Sequence, residues 1–360
     1  MKLFFISDIH GNEYALAAIL AKAIALGADH IYCMGDLSGY FTGINEVIAL
    51  LKEHHVVAIK GNHDGFLTEE LPVNEGKSYY SAYLKTKQIL LTEELNWLEQ
   101  LPSHQSINID DHSLAMYHGG PNDLLNEYVF PDSIDFEKYR QHPAELLLFG
   151  HTHLQFVVKD SGRIFANPGS VGLPRNGDFR AHGLMYDTKE RLFTEYRIPY
   201  DVNKLNDKYL NETSVNRKFL HNINFGRSSN RTLIDRDEFL LDQEMIFNMR
   251  LNGISIINTK FGIILSYSED RFLDNLLYVA CYEDGSLEMT SNTLLFNWQV
   301  GLFEEDPDQL AEKSEFKKDM AGFYYYKFFP EMKEFRTKIL ETTKQALHTI
   351  KKIKNKNVYI

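Results

Sequence analysis

Five short polar motifs in the first half of this chain each begin where an apolar run ends. They are Ser7-Asp8-Ile9-His10-Gly11-Asn12, Gly35-Asp36, Gly61-Asn62-His63-Asp64, His118-Gly119-Gly120 and Gly150-His151-Thr152-His153. The runs before them are Lys2 to Ile6, His30 to Met34, Val56 to Ile59, Leu114 to Tyr117 and Leu146 to Phe149. Such runs, alternating with longer segments of 3.6-residue period, predict an α/β fold whose strands are covered on both faces. Ligand sites in such sheets lie beyond the carboxyl ends of the strands. If the strands end along one edge, Asp8, His10, Asp36, Asn62, His118, His151 and His153 converge there despite their separation in sequence.

These donors are carboxylate, imidazole and amide oxygen with no thiolate, which excludes iron-sulfur and structural thiolate zinc sites. They suit Mn, Fe, Co, Ni or catalytic Zn. Seven ligands exceed what one ion with an open position needs. Two ions sharing a carboxylate, about 3.5 to 4 Å apart, can grip both the attacking and the leaving oxygen of a phosphoryl centre.

In this order the five motifs resemble those of the calcineurin-like metallophosphoesterase superfamily, in the form of its small bacterial and archaeal phosphodiesterase branch. Asn167-Pro168-Gly169-Ser170-Val171-Gly172, Pro174-Arg175 and the strand-like Ala181 to Asp187 add to the likeness, which covers roughly residues 1 to 200. A single motif would arise by chance in many chains; five in fixed order, each after a strand, is specific. The resemblance implies a four-layer α-β-β-α sandwich of two mixed sheets, an arrangement that would also bury every apolar run. It implies that Asp8, His10, Asp36 and His153 hold one divalent ion and Asp36, Asn62, His118 and His151 the other, with manganese preferred. It further implies that His63 donates to the leaving-group oxygen while Asp64 orients and charges its ring, because a histidine beside a carboxylate stays protonated near neutral pH. The expected reaction is in-line attack on a phosphodiester by a metal-bridging hydroxide, with no protein nucleophile.

Other residues carry plainer readings. Cys33 lies inside an apolar run and reads as packing. Asn12 reads as the N-cap of a helix from about Glu13 to Leu26, and Gly11 as backbone geometry. Asn167 to Ser170 is a tight turn, beside the metals by resemblance. Arg175 is a candidate phosphate clamp, since guanidinium matches phosphate oxygens bidentately, or a solvated loop arginine. His54, His55, His104, His112 and His142 read as surface residues.

The chain has 360 residues, 44% hydrophobic and 24% charged, as expected of an ordinary soluble protein of two domains. Lys2 to Ile6 is too short for a signal h-region and leads straight into a ligand motif, so this segment is expected to belong to the fold. No apolar run reaches about 18 residues, so no spanning helix is expected. Two cysteines, Cys33 and Cys281, fit a reducing compartment and point to a cytoplasmic location. The formal charge of -12 disfavours a nucleic-acid groove, whereas a small phosphate ester, including a nucleotide, is compatible with it.

Along the first half, a single helical segment is expected from about Ser78 to Leu101, with a short helical piece near Asp132 to Arg140. The closely spaced later strands, including Gly183 to Tyr186 and Arg191 to Ile198, suggest an antiparallel second sheet. A boundary is expected at Pro199 to Asn206, where asparagine becomes frequent, giving a catalytic domain at 1–200 and an accessory α+β domain of unknown role at 201–360. There, an exposed loop is expected at Gly226 to Arg231, a hairpin at Gly253 to Ser266, a strand near Leu276 to Tyr282, helical signals at Asp308 to Leu310 and a last helix from Glu331 to Lys352. The aromatic run Phe323 to Phe329 reads as core or as a surface for oligomerisation, with a base-stacking platform or a cleft wall as alternatives.

Gly35-Asp36 continues as Leu37-Ser38-Gly39-Tyr40-Phe41, without the arginine that grips monoester phosphates in the branches carrying Asp-Arg-Gly. A diesterase is favoured on that ground. Phosphomonoesterase or nucleotide pyrophosphatase activity, a nuclease, and a catalytically inactive metal-binding scaffold are the alternatives.

Overall fold

The computed structural model describes residues 1–176, 178–210 and 212–225, together with six strands between Ile254 and Phe328. The chain forms two compact units, Met1–Ser229 and Asn230–Ile360. Among the described residues, no helix is long and apolar enough to cross a membrane.

The first unit holds two mixed five-stranded sheets. Sheet one runs β10-β9-β1-β2-β3, built from β1 (Lys2–Ile6), β2 (His30–Cys33), β3 (Val57–Ala58), β9 (Ala181–Asp187) and β10 (Leu192–Ile198). The first three strands are parallel; β9 and β10 add antiparallel. The N-terminal segment is therefore the central strand. Sheet two runs β4-β5-β6-β8-β7, built from β4 (His104–Ile109), β5 (His112–Tyr117), β6 (Leu146–Leu148), β7 (Gln155–Asp160) and β8 (Arg163–Pro168). Its strands β5, β6 and β8 are parallel, with antiparallel β4 and β7 at its edges. The two latest strands do not extend this second sheet, as expected from their spacing, but return to sheet one.

Alternation along β1 explains why an unbroken apolar run is needed. Leu3 and Phe5 face sheet two and pack with Leu114, Met116, Leu146 and Leu148, while Phe4 and Ile6 face the helices. Each such side chain, fully buried, contributes about 1.5–3 kcal/mol. The helical layer on sheet one comprises α1 (Glu13–Ala25), α2 (Ile44–Glu53), α3 (Asn62–Leu67), α4 (Tyr80–Ile89), α5 (Thr92–Glu99), α6 (Val202–Tyr209) and α7 (Arg217–Phe225). The outer face of sheet two, with Tyr117, Leu147, Phe149 and Phe165, is covered by Val129, Ala144 and a 3-10 turn at Phe136–Tyr139.

Three local differences from expectation have clear causes. The segment 78–101 is two helices, because Leu90 and Leu91 are extended and the Asn45 amide bonds both sides of the break, donating to Ile89 O at 2.9 Å and accepting from Leu91 N at 3.2 Å. His112 is buried, its ring between Thr188 O at 2.9 Å and the Tyr186 hydroxyl at 3.3 Å. The first unit also runs past the expected boundary at 200. Val202, Leu205, Tyr209, Val215, Phe219, Leu220 and Ile223 join the core beneath α1, and the frequent asparagines are in part internal: Asn206 and Asn224 exchange amide hydrogen bonds at 3.0 and 2.9 Å.

In the second unit the six strands β11 (Ile254–Thr259), β12 (Gly262–Tyr267), β13 (Asn275–Cys281), β14 (Leu287–Ser291), β15 (Phe316–Lys318) and β16 (Tyr324–Phe328) form one antiparallel sheet in the order β11-β12-β13-β14-β16-β15. The expected hairpin and following strand are β11, β12 and β13, and Tyr324–Phe328 of the aromatic run form the interior strand β16. The expected loop at Gly226 to Arg231, the signals at Asp308 to Leu310 and the last helix lie outside the described residues.

Candidate metal centre

Past the ends of β1 and β2 the main chain stays paired. Asp8 N donates to Gly35 O at 3.0 Å, His10 N to Asp36 O at 2.9 Å and Gly11 N to Leu37 O at 2.8 Å. Gly11 has φ +75°, and a Cβ there would stand 2.4 Å from Phe41 O, so backbone geometry does account for it. Asn12 caps α1, its Oδ1 accepting from Ala15 N at 3.1 Å. The Asn167–Gly172 turn locks the two ligand-bearing ends together. Ser170 Oγ donates to Asp8 O at 2.7 Å and Asn167 Nδ2 to Gly150 O at 2.7 Å. At Gly172 a Cβ would fall 1.8 Å from Ile9 O, so only glycine allows this approach.

The seven sequence-selected donors do meet. Three buried triads, Asp8-His10-His153, His10-Asp36-His63 and Asp36-His118-His151, each place their donor atoms within 4.8 Å of one another. Asn62 joins the third, its Oδ1 at 2.9 Å from His118 Nε2. Five of these residues, Asp8, His10, Asp36, His151 and His153, have φ between 53° and 64°. That left-handed backbone is unfavourable for side-chain-bearing residues and concentrates at functional sites.

Hydrogen bonds to the main chain fix which ring nitrogen faces inward. His10 Nδ1 donates to Ser38 O at 3.0 Å, His118 Nδ1 to Met34 O at 2.8 Å and His153 Nδ1 to Leu173 O. Each Nε2 is thereby turned toward the carboxylates, as for metal-binding histidines. His10 and His153 bring their Nε2 atoms to 3.0 Å from each other, at 3.8 and 3.4 Å from Asp8 Oδ1, which is buried without a hydrogen-bond partner. Lone pairs crowded around an orphaned carboxylate oxygen fit a cation.

Protonation follows burial and charge. Burial pushes His10 and His153 well below the usual imidazole range and His151 down to about 3, leaving neutral ligands. Burial also opposes charge on His118, but the Asp36 and Asp8 carboxylates outweigh it and raise it to about 9. Against its own burial, Asp36 is held well below the carboxylate range by His118 and His63. Asp8 is raised by burial.

The His63–Asp64 pairing expected from the sequence is not found. The Asp64 carboxylate accepts from Leu37 N at 3.2 Å, Ser38 N at 3.0 Å, Ser38 Oγ at 2.9 Å and Gly61 N at 3.0 Å, so it organises the loop after Asp36. The His63 ring instead lies among Tyr79, Tyr40 and Phe66, with centroids 4.6, 5.0 and 5.3 Å away. Burial there takes it down to about 4, so it is neutral at pH 7, not charged as expected. The geometry of the second triad would also admit it as a ligand.

Arg175 is exposed, its Nη2 donating to the Tyr40 hydroxyl at 2.9 Å. Tyr40, absent from the sequence-based set, packs edge-on against His10 at 4.6 Å and Phe219 of α7 at 4.5 Å. Its position four residues after Asp36 was the available signal. Tyr79 had none. Tyr128, whose ring lies 4.1 Å from that of His151, was signalled only by the alternating Tyr128-Val129-Phe130. Cys33 is buried, its thiol pushed up by burial, in keeping with a packing role.

The sequence profile of the calcineurin-like phosphoesterase superfamily domain matches residues 1–191. The chain belongs to this superfamily. An uncharacterized protein of Methanocaldococcus jannaschii is 32% identical over 220 residues, 56% of this chain and 89% of its own length. Phosphodiesterase YfcE of Escherichia coli is 27% identical over 206 residues, 51% of this chain and 87% of its own. The crystal structure of a metallophosphoesterase from Sphaerobacter thermophilus superposes with a TM-score of 0.54 at 27% identity, covering 63% of this chain and 99% of that one. The two mixed sheets with their helices are this superfamily's α/β fold, and the His/Asp cluster at their edge is its candidate site for divalent metal.

Proposed function

We propose that the chain hydrolyses phosphate diesters using two divalent cations, manganese first among the metals its donors suit. The observation that carries this is Asp36, a buried carboxylate standing in two donor triads at once. Asp8, His10, Asp36 and His153 would hold one cation, and Asp36, Asn62, His118 and His151 the other. Bound cations supply a water acidic enough to attack phosphorus near neutral pH and neutralise the phosphoryl oxygens.

The chain's own groups do the rest. A neutral His63 keeps one N–H, which suffices to hydrogen-bond a departing oxygen without carrying charge toward two cations. Arg175, held on the Tyr40 hydroxyl, is the guanidinium that would meet a non-bridging phosphate oxygen. Leu37, fully buried, stands directly after Asp36, so no arginine follows it to grip the dianion of a monoester. The name of the Escherichia coli relative, a phosphodiesterase, agrees with a diester substrate.

The test is turnover of bis(4-nitrophenyl) phosphate with added manganese, alongside metal content by plasma mass spectrometry. Two metals per chain and faster hydrolysis of the diester than of 4-nitrophenyl phosphate are expected. His63→Ala should keep both metals and lose about 10²–10⁴-fold in kcat. Two metals without turnover would make the protein a scaffold, and a preference for the monoester would make it a phosphatase. Loss of one metal in His63→Ala would make His63 a ligand.

A further inference from the structure

An exposed arginine can act on one point in space only if its root and its tip are both held, because its side chain is long and rich in rotamers. Arg175 is exposed, and both of its holds trace back to α7, beyond the expected boundary at 200. At the root, Asn222 Nδ2 donates to Pro174 O at 2.6 Å, and that carbonyl belongs to the peptide bond leading into Arg175. Asn222 is buried, so water does not compete for this bond. Proline, its φ fixed near −65°, stiffens the entry further. At the tip, Arg175 Nη2 donates to the Tyr40 hydroxyl at 2.9 Å. Tyr40 is set in turn by Phe219, 3% exposed, whose ring meets it edge-on at 4.5 Å between centroids. The loop after Tyr40 is held from α6, where the Tyr209 hydroxyl accepts from Thr42 N at 3.0 Å.

Phe219 and Asn222 stand three residues apart, so they share one face of α7 and reach Tyr40 and Pro174 together. We propose that Phe219 and Asn222 are positioning residues for substrate binding: through Tyr40 and Pro174 they hold Arg175 where a non-bridging oxygen of the bound phosphate arrives. The inference rests on the reading of Arg175 as the phosphate clamp and adds that α7 sets that clamp. Neither residue touches the substrate. Each acts on one end of Arg175, so removing either loosens one anchor and leaves the metal donors in place. The anchor and a ligand's support are close in sequence, since Leu173 O accepts from His153 Nδ1 just before Pro174, and metal content therefore has to be read in every variant.

The test uses the full chain loaded with manganese and reads KM for bis(4-nitrophenyl) phosphate, the calorimetric Kd of inorganic phosphate, and metal content. Phe219→Leu, which keeps most of the apolar volume, and Asn222→Ala should each raise KM and Kd about threefold, with kcat and metal content unchanged. In an Arg175→Ala background the same two changes should have no further effect, because residues that act through one group are not additive. A further rise in that background overturns the proposal and makes α7 a general support of the fold. So does loss of metal in either variant. Unchanged KM and Kd in the single variants, where Arg175→Ala raises both, overturn it too and leave the clamp reading standing. If Arg175→Ala itself changes neither constant, the clamp reading falls and the inference with it. If the diester is not turned over but the Kd values follow the whole pattern, the phosphodiesterase reading falls and the positioning role stands. Thermal melts establish folding, and Phe219→Leu decides alone where Asn222→Ala does not fold.

Discussion

The two sheets of the first unit both centre on buried apolar strands, β1 in one and β6 in the other, but contribute opposite chemistry to the metal centre. Sheet one brings both carboxylates, Asp8 after β1 and Asp36 after β2, with His10 and Asn62. Sheet two brings imidazoles alone, His118 after β5 and His151 and His153 after β6. The coverings differ too: sheet one lies under seven helices among the described residues, sheet two under loop and a 3-10 turn. Charge thus originates on the braced sheet, and the other lends neutral nitrogens. Only His118, 3.4 Å from Asp36, borrows enough of that charge to be raised to about 9.

The largest test removes the bracing. A chain ending at 200 loses seven buried apolar side chains from α6, α7 and their connection, upward of about 10 kcal/mol, which rivals the stability of a whole domain. It should not fold, whereas a chain ending at Ser229 should fold and bind metal. Circular dichroism and metal content decide this, and a folded chain ending at 200 would break the contrast between the coverings.

Next comes the charge itself. Asp36→Asn should lose both metals and at least about a thousandfold in kcat/KM, since it stands in two triads. His151→Ala should lose one metal and retain the other. Equal losses in the two variants would mean that the sheets do not divide the work as described.

The pH dependence sharpens the same contrast. In the metal-free protein His118 is raised to about 9 from about 6.5, so its contribution to stability is full below pH 6.5 and disappears as pH rises through 9. Metal must displace that proton, so affinity should climb about tenfold per pH unit up to about pH 9 and then level off. The metal-free melting temperature should fall over the same interval. Metal titrations and thermal melts between pH 6.5 and 10 check both signs.

The smallest effect is at the rim. Tyr40→Phe removes the acceptor for Arg175 and should raise KM about threefold with little change in kcat. An unchanged KM would place the guanidinium outside the substrate's reach.

The ligands were legible because each directly follows a strand, and strand ends are where such sheets gather donors. The partner of Asp64 was not. Adjacency to His63 suggested a pair, but both lie on α3, where neighbours one residue apart face different directions. The destination of β9 and β10 was hidden because an apolar alternating strand suits either sheet equally. Helices α6 and α7 were hidden behind asparagines that read as a domain boundary, since nothing in composition distinguishes a solvated amide from the paired, buried Asn206 and Asn224.

The left-handed backbone at Asp8, His10, Asp36, His151 and His153 has a consequence of its own. At roughly 1 kcal/mol each, this is tension that the surrounding structure must offset. The packing around the donors, the Asn167–Gly172 turn included, must therefore hold all five turns in place, and loosening any one of them would scatter donors that now lie within 4.8 Å of one another.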